Sequence, residues 1–303
     1  MIGYRLQVTG DRLKLILVSV LFFLFTITCI LLPRKIYAQA INLSISPPLF
    51  ELMIQPNKQV KQIFTITNLG GDSIITPSLV YFEPSDETGN VNLTENQVAD
   101  WVIYNQSPFN LKGQEKFDFE VLFSPPSDTE EIDHLLTLVF ETNEPVDLLG
   151  QNSATYTSRI GANILLTISK DGSPKKSAEI IEFSAPKIID SLYPIRYALK
   201  LANNGNSFWK PSGKITTKDE VLTLAPQNIL SGYSRNINCI DNETLINCKL
   251  KKKFSIGKIV SKLEFTIDEE AKVYTLETIT YSLPLTYLSL IVVLLLVWRK
   301  VKR

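Results

Sequence analysis

Short runs rich in Ile, Val, Thr, Phe and Tyr, broken by Pro, Gly, Asn and Asp, recur along most of the chain, and stretches with a helical period are nearly absent from its middle. In the first half these runs predict strands at 42–46, 49–54, 60–67, 74–82, 101–104, 116–123, 135–141 and 155–169. In the second half they predict strands at 178–183, 193–201, 213–217, 221–224, 235–240, 245–250, 262–267 and 273–281. Alternation is clean from Phe117 to Phe123, where one face is apolar and the other acidic. Asp171-Gly172-Ser173-Pro174-Lys175-Lys176 is the clearest interruption and predicts a linker over 171–177. The halves echo each other. Asn68-Leu69-Gly70 and Asn203-Asn204-Gly205 each close an apolar strand, and Leu111-Lys112-Gly113 and Leu230-Ser231-Gly232 each precede a later one. The expected fold is all-β, with tandem immunoglobulin-like β-sandwich domains at 41–170 and 178–280.

Two longer apolar runs break this pattern. Residues 15–32 carry no charge, follow Arg5, Arg12 and Lys14, and lead to Ala38-Gln39-Ala40. This order predicts a signal peptide over 1–40 cut after Ala40. Its length, with Arg34 and Lys35 behind it, leaves an uncleaved N-terminal anchor open. Residues 281–298 are followed by Arg299, Lys300, Lys302 and Arg303. This run predicts one transmembrane helix with a basic cytoplasmic tail at 299–303, so that membrane lipid becomes a partner and 41–284 lie on the extracytoplasmic side of the cell membrane. Of the three cysteines, Cys29 lies in the leader. Cys239 and Cys248 flank a polar turn and are placed for a disulfide, with two reduced thiols as the alternative.

Composition narrows the chemistry. Lys+Arg and Asp+Glu balance at 31 each, but 41–172 hold 6 cations against 18 acids and 173–284 hold 16 against 12. An acidic outer domain disfavours nucleic-acid binding. A chain with one histidine offers no His/Cys zinc cluster, and no catalytic motif, nucleotide loop or cofactor signature occurs. The histidine, His134, stands beside Asp133, which strand alternation turns to the opposite face. Asp128, Glu130, Glu131 and Asp133, or Asp86 and Glu87, supply hard oxygen ligands for a cation, although neither set has the spaced calcium-loop pattern and a solvated acidic surface explains both. Trp209 reads as core, or as a binding anchor if exposed. Lys249 and Lys251 to Lys253 suit an anionic surface or a lysine-blunted edge strand.

Pro47-Pro48-Leu49-Phe50-Glu51-Leu52, the segment from Thr65 to Gly71, and the stretch from Phe109 through Phe117-Asp118-Phe119 to Pro125-Pro126 resemble the first domain of the WxL-interacting proteins. The resemblance implies a bacterial surface protein with a signal peptide, two immunoglobulin-like domains, one transmembrane helix and a basic tail. It further implies an outer domain similar to a peptidoglycan-binding module and a second that binds partners. The chain departs from that pattern in lacking Asn-Gln after its opening strand, and in carrying Ile132-Asp133-His134 where a Gly-rich strand start is usual. The expected function is non-catalytic: adhesion, envelope scaffolding or cell-wall attachment, with an envelope protein or a cell-wall polymer as partner and no cofactor. A tethered assembly chaperone for exported subunits is the alternative, and it requires a basic residue in the interdomain cleft and a long exposed edge strand. A carbohydrate-acting enzyme is a third possibility, requiring two carboxyl groups in a concave pocket.

Overall fold

A computed structural model describes residues 43–94, 96–146, 154–250, 254–268 and 272–302, with backbone alone at 143–146 and 154–157. The expected leader with Ala38 and Ala40, the lysines at 251–253 and Arg303 lie outside the described residues.

The first body is built from β1 (Leu43–Ser46), β2 (Leu49–Ile54), β3 (Val60–Asn68), β4 (Ser73–Pro84), β5 (Val91–Thr94), β6 (Val102–Tyr104), β7 (Phe109–Leu111), β8 (Lys116–Phe123), β9 (Asp133–Val146) and β10 (Ala154–Ile168). One sheet runs β1-β3-β8-β6 and the other β2-β10-β9-β4-β5, with β7 also paired to β4. Both contribute to one core that includes Phe64, Phe119, Phe123, Phe140 and Leu166. The alternation seen in β8 turns Phe119, Val121 and Phe123 inward, each worth about 1.5–3 kcal/mol of burial. Residues 47 and 48 carry the chain from one sheet to the other, so β1 pairs with β3 while β2 runs parallel to β10.

The second body contains β11 (Ala178–Ser184), β12 (Ile188–Asp190), β13 (Ile195–Arg196), β14 (Ala198–Asn203), β15 (Pro211–Thr216), β16 (Val221–Leu224), β17 (Ser234–Asn236), β18 (Cys239–Asp241), β19 (Thr244–Ile246), β20 (Lys249–Leu250), β21 (Gly257–Ile267) and β22 (Tyr274–Leu283). Its sheets run β11-β14-β17 and β12-β22-β21-β15-β16-β18-β19, with β13 paired to β20. Trp209 is fully buried in this second core against Phe265, Ile215 and Leu263, which makes it a packing residue and not an exposed anchor. Cys239 and Cys248 are joined as a disulfide, closing the hairpin of β18 and β19 whose turn is Asn242-Glu243.

The sequence echo between the halves is a shared structural device. In the first body Asn68 is buried, donates from Nδ2 to the carbonyls of Gly71 and Leu111, and accepts from the Gly70 N–H. In the second, buried Asn203 donates to the carbonyls of Ser207 and Ile229 and accepts from the Gly205 N–H. Each asparagine satisfies backbone groups that the turn would leave orphaned, which is why the motif recurs at one place in both bodies.

The helix α1 spans Leu285–Val301, which corrects the expected 281–298 at both ends. Tyr281 to Leu283 continue β22, where they pair with β12 and β21, and Pro284 then ends the strand because it has no N–H to donate. No breaker follows Trp298, so Arg299 and Lys300 form the last helical turn, and Lys302 lies over the Trp298 ring at 4.2 Å. No helix among the described residues is long and apolar enough to cross a membrane.

Candidate binding surface

The feature that sets β10 apart is its edge. It pairs with β9 along Ala154–Thr167 but meets β2 only from Asn163 onward. Over Ala154–Ala162 no described strand pairs with it on the side away from β9. Its hydrogen bonds fix which groups face that side. The Asn163 N–H donates to the Pro48 carbonyl and the Ser169 N–H to Ile54, whereas the Ile168 N–H donates to Ile132 ahead of β9. Odd-numbered residues therefore direct N–H and C=O away from β9, which places the groups of 157, 159 and 161 on the side that no described strand pairs. One charge lies along it, Arg159, held to Glu141 on β9 by donation from Nε at 3.0 Å and Nη2 at 2.5 Å. A long edge with so little charge is a template for pairing with another extended chain.

The end of β10 enters a cleft between the two bodies, where acids of the first meet cations of the second. Glu51 on β2 accepts from Lys210 Nζ at 2.7 Å and from Asn228 Nδ2 at 2.6 Å. Glu87 is ion-paired with Lys200, and its carbonyl accepts from the Asn236 N–H at 2.8 Å. Arg235 donates to the carbonyls of Asn228 and Thr88. Gly89, at φ +102°, lets the 86–90 turn lie flat against that guanidinium, since any Cβ there would collide with Arg235 Nη2. Burial lowers the Arg235 pKa while the charge of Asp86 opposes the shift. A cavity of about 160 Å³ opens beside it, lined by Leu49, Phe82, Leu165, Leu230 and Tyr233 as well as Arg235. The cleft thus holds basic residues, as expected for the assembly-chaperone alternative, but Lys200 and Lys210 are neutralised by the chain's own carboxylates.

Asp133 is the cleft acid whose pKa burial raises. It accepts from the Phe208 N–H of the second body and from Thr167 Oγ1, both at 2.6 Å, and Thr167 Oγ1 lies 3.1 Å from Ser207 Oγ. Burial raises its pKa to about 6 against the opposing pull of these hydrogen bonds and of Lys176. His134 faces the other way as strand alternation predicts, edge-on to Trp101 with centroids 5.1 Å apart. Its Nε2 is buried, and desolvation lowers its pKa. Asp133 and His134 therefore do not act on each other.

The expected cation ligands are not brought together. Asp133 turns into the cleft, Glu131 accepts from the Lys170 N–H and pairs with its Nζ, and Asp128 and Glu130 remain on the loop before β9. Asp86 accepts from Thr88 and Asn90, which hold its carboxyl far below the usual range, so it organises its own turn. No group of three His, Cys, Asp or Glu suited to a metal occurs among the described residues. The side of β10 that no described strand pairs and the cross-body bonds have no local sequence signature, because both depend on strands that lie far apart in the chain. The opposed charges of the two halves are the sequence signal of the cross-body ion pairs.

No protein-family model matches the chain, and no curated protein matches it. Among solved structures, the class 5 fimbriae chaperone CfaA is similar at 13% identity and TM-score 0.41, covering 80% of this chain and 100% of its own. The YadV chaperone is similar at 9% identity and TM-score 0.42, covering 78% and 99%. The E. coli chaperone DraB is similar at 12% identity and TM-score 0.37, covering 78% and 98%. At these scores the likeness carries no functional argument, and the chain's own geometry has to supply one.

Proposed function

We propose that this chain is a non-catalytic, membrane-tethered protein of the cell envelope that holds extended segments of exported partner proteins by strand addition along β10, as an assembly chaperone or scaffold does. The observation that carries the proposal is that no described strand hydrogen-bonds to Ala154–Ala162 on the side away from β9, where β1 approaches without pairing. Residues 157, 159 and 161 offer about six backbone bonds to an incoming strand, each worth about 0.5–1.5 kcal/mol net. A segment added there would continue toward the cavity beside Leu49, Leu165 and Leu230, which suits an apolar side chain. The surface architecture implied by the WxL-interacting resemblance, with 41–284 outside the membrane, belongs to the same proposal. The Cys239–Cys248 bond supports it, because structural disulfides persist in oxidising compartments.

Chemistry is poorly supported by the same cleft. Among the described residues Asp86 is the carboxylate lining that cavity, and its lowered pKa unsuits it as a general acid, while Glu51 and Asp268 in the neighbouring pocket are ion-paired with Lys210 and Lys176. Glycoside hydrolysis requires a facing pair of carboxyl groups.

A photo-crosslinking residue at position 159, introduced in cells that produce the protein, tests the binding role. Adducts should map to extended segments of exported proteins. They should vanish with Thr157→Pro, which removes an outward N–H without touching the β9 ladder, and persist with Thr157→Val. Equal adducts from Ile103, on the far edge strand β6, or indifference to the proline would refute the proposal.

A further inference from the structure

The end of the second body where β22 meets α1 carries an apolar surface that the fold itself does not cover. Leu192 and Tyr193 follow β12, Phe254 and Ile256 precede β21, and Leu283 ends β22; their exposures run from 36% to 64%. Hydrogen bonds gather them around the start of the helix. The Ser191 N–H donates to the Leu283 carbonyl at 2.8 Å, and Ser282 Oγ to the Ser255 carbonyl at 2.7 Å. Asp190 accepts from the Leu192 N–H and, through its other oxygen, from the N–H and hydroxyl of Thr286. The loop that carries Leu192 and Tyr193 is thereby bonded to the first turn of α1. The Phe254 ring meets Tyr287 of the helix edge-on at 5.8 Å.

The helix explains why this surface matters. Its apolar part, Leu285 to Trp298, has no buried residue, and at 1.5 Å per residue it spans about 21 Å. A hydrocarbon core is about 30 Å thick, so the helix alone falls short of it, even with Arg299 and Lys300 reaching outward by snorkelling. We infer that the anchor is composite: α1 together with Leu192, Tyr193, Phe254, Ile256 and Leu283, which seat the base of the second body in the bilayer interface. The inference rests on the membrane-tethered reading given above. The apolar surface is continuous with the helix, and Tyr193 and Tyr287 are of the amphipathic type enriched at membrane interfaces.

The full chain reconstituted in vesicles of phosphatidylcholine and phosphatidylglycerol, three to one, provides the test. Two photoactivatable phospholipids are compared, one reactive at the acyl-chain end and one at the glycerol level. The acyl-chain probe should label 285–298. The glycerol-level probe should label 190–193 and 254–257 several-fold more than Val221 and Leu245, equally exposed residues near the disulfide hairpin. The double variant Tyr193→Ser/Ile256→Ser should lose that base labelling and wash off vesicles at alkaline pH several-fold more readily, with unchanged unfolding in detergent. Labelled helix with a base no more labelled than the hairpin would overturn the composite anchor alone, as would crosslinks from the base to a second copy of the chain. An unlabelled helix would overturn the tether and the composite anchor together.

Discussion

Asp133→Asn asks whether a carboxyl group bonded across the cleft is held neutral or charged. Burial places the folded pKa near 6, above the ordinary 3.8. Between those values the folded state keeps a proton that the unfolded state has released. Stability from this group is therefore complete below about pH 4, falls as pH rises toward 6, and is level above it. At about 1.4 kcal/mol per pH unit the loss approaches 3 kcal/mol as a ceiling, or about 10–12 °C in Tm if the first body unfolds alone. His134 works in the opposite sense, since its lowered pKa costs stability as pH falls below 6.5. Only the difference between variant and wild type isolates Asp133. Thermal unfolding followed by circular dichroism from pH 4 to pH 8 should show the variant gaining on the wild type as pH rises from 4 to 6, with a constant gap beyond. A wild type that gains on the variant over that range would mean that Thr167, the Phe208 N–H and Lys176 outweigh desolvation, and the assignment would be wrong.

Three further outcomes follow from the packing. Replacing both Cys239 and Cys248 with alanine opens a ten-residue ring and should cost about 2.5–3 kcal/mol in urea unfolding. Asn203→Ala removes the side-chain partners of the Gly205 N–H and the Ser207 carbonyl and one of the two donors to the Ile229 carbonyl, so a loss of about 2–3 kcal/mol is expected by the same assay, with Asn68→Ala similar in the first body. A double-mutant cycle on Glu51→Gln and Lys210→Met should give a coupling of about 0.5–1 kcal/mol that shrinks at high salt, because both groups are only partly buried.

Local chemistry was legible in the sequence, and long-range pairing was not. The run at 155–169 announced β10, and the Asn-x-Gly turns announced Asn68 and Asn203, because each signal lies within a few residues. The short strands β5, β7 and β12 went unread since their residues carry no alternation long enough to register. The expected strand at 193–201 divides at Tyr197 into β13 and β14, because Ile195 and Arg196 pair with β20 while Ala198 to Asn203 pair with β11. Charge counts showed that the halves differ in sign, but the pairing of Glu51 with Lys210 joins positions far apart in the chain, and no spacing rule reaches that far. That no described strand pairs with the far side of β10 before Asn163 depends on where β2 begins, so the sequence of β10 cannot reveal it.

The binding claim is tested most directly by residue-resolved amide exchange along β10, in the full chain alone and in complex with a partner captured at position 159. In the free chain the amides of 157, 159 and 161 should exchange much faster than those of 158, 160 and 162, and in the complex the two sets should become equally slow. Odd-numbered amides that stay fast in the complex would show that the partner binds elsewhere and would contradict strand addition.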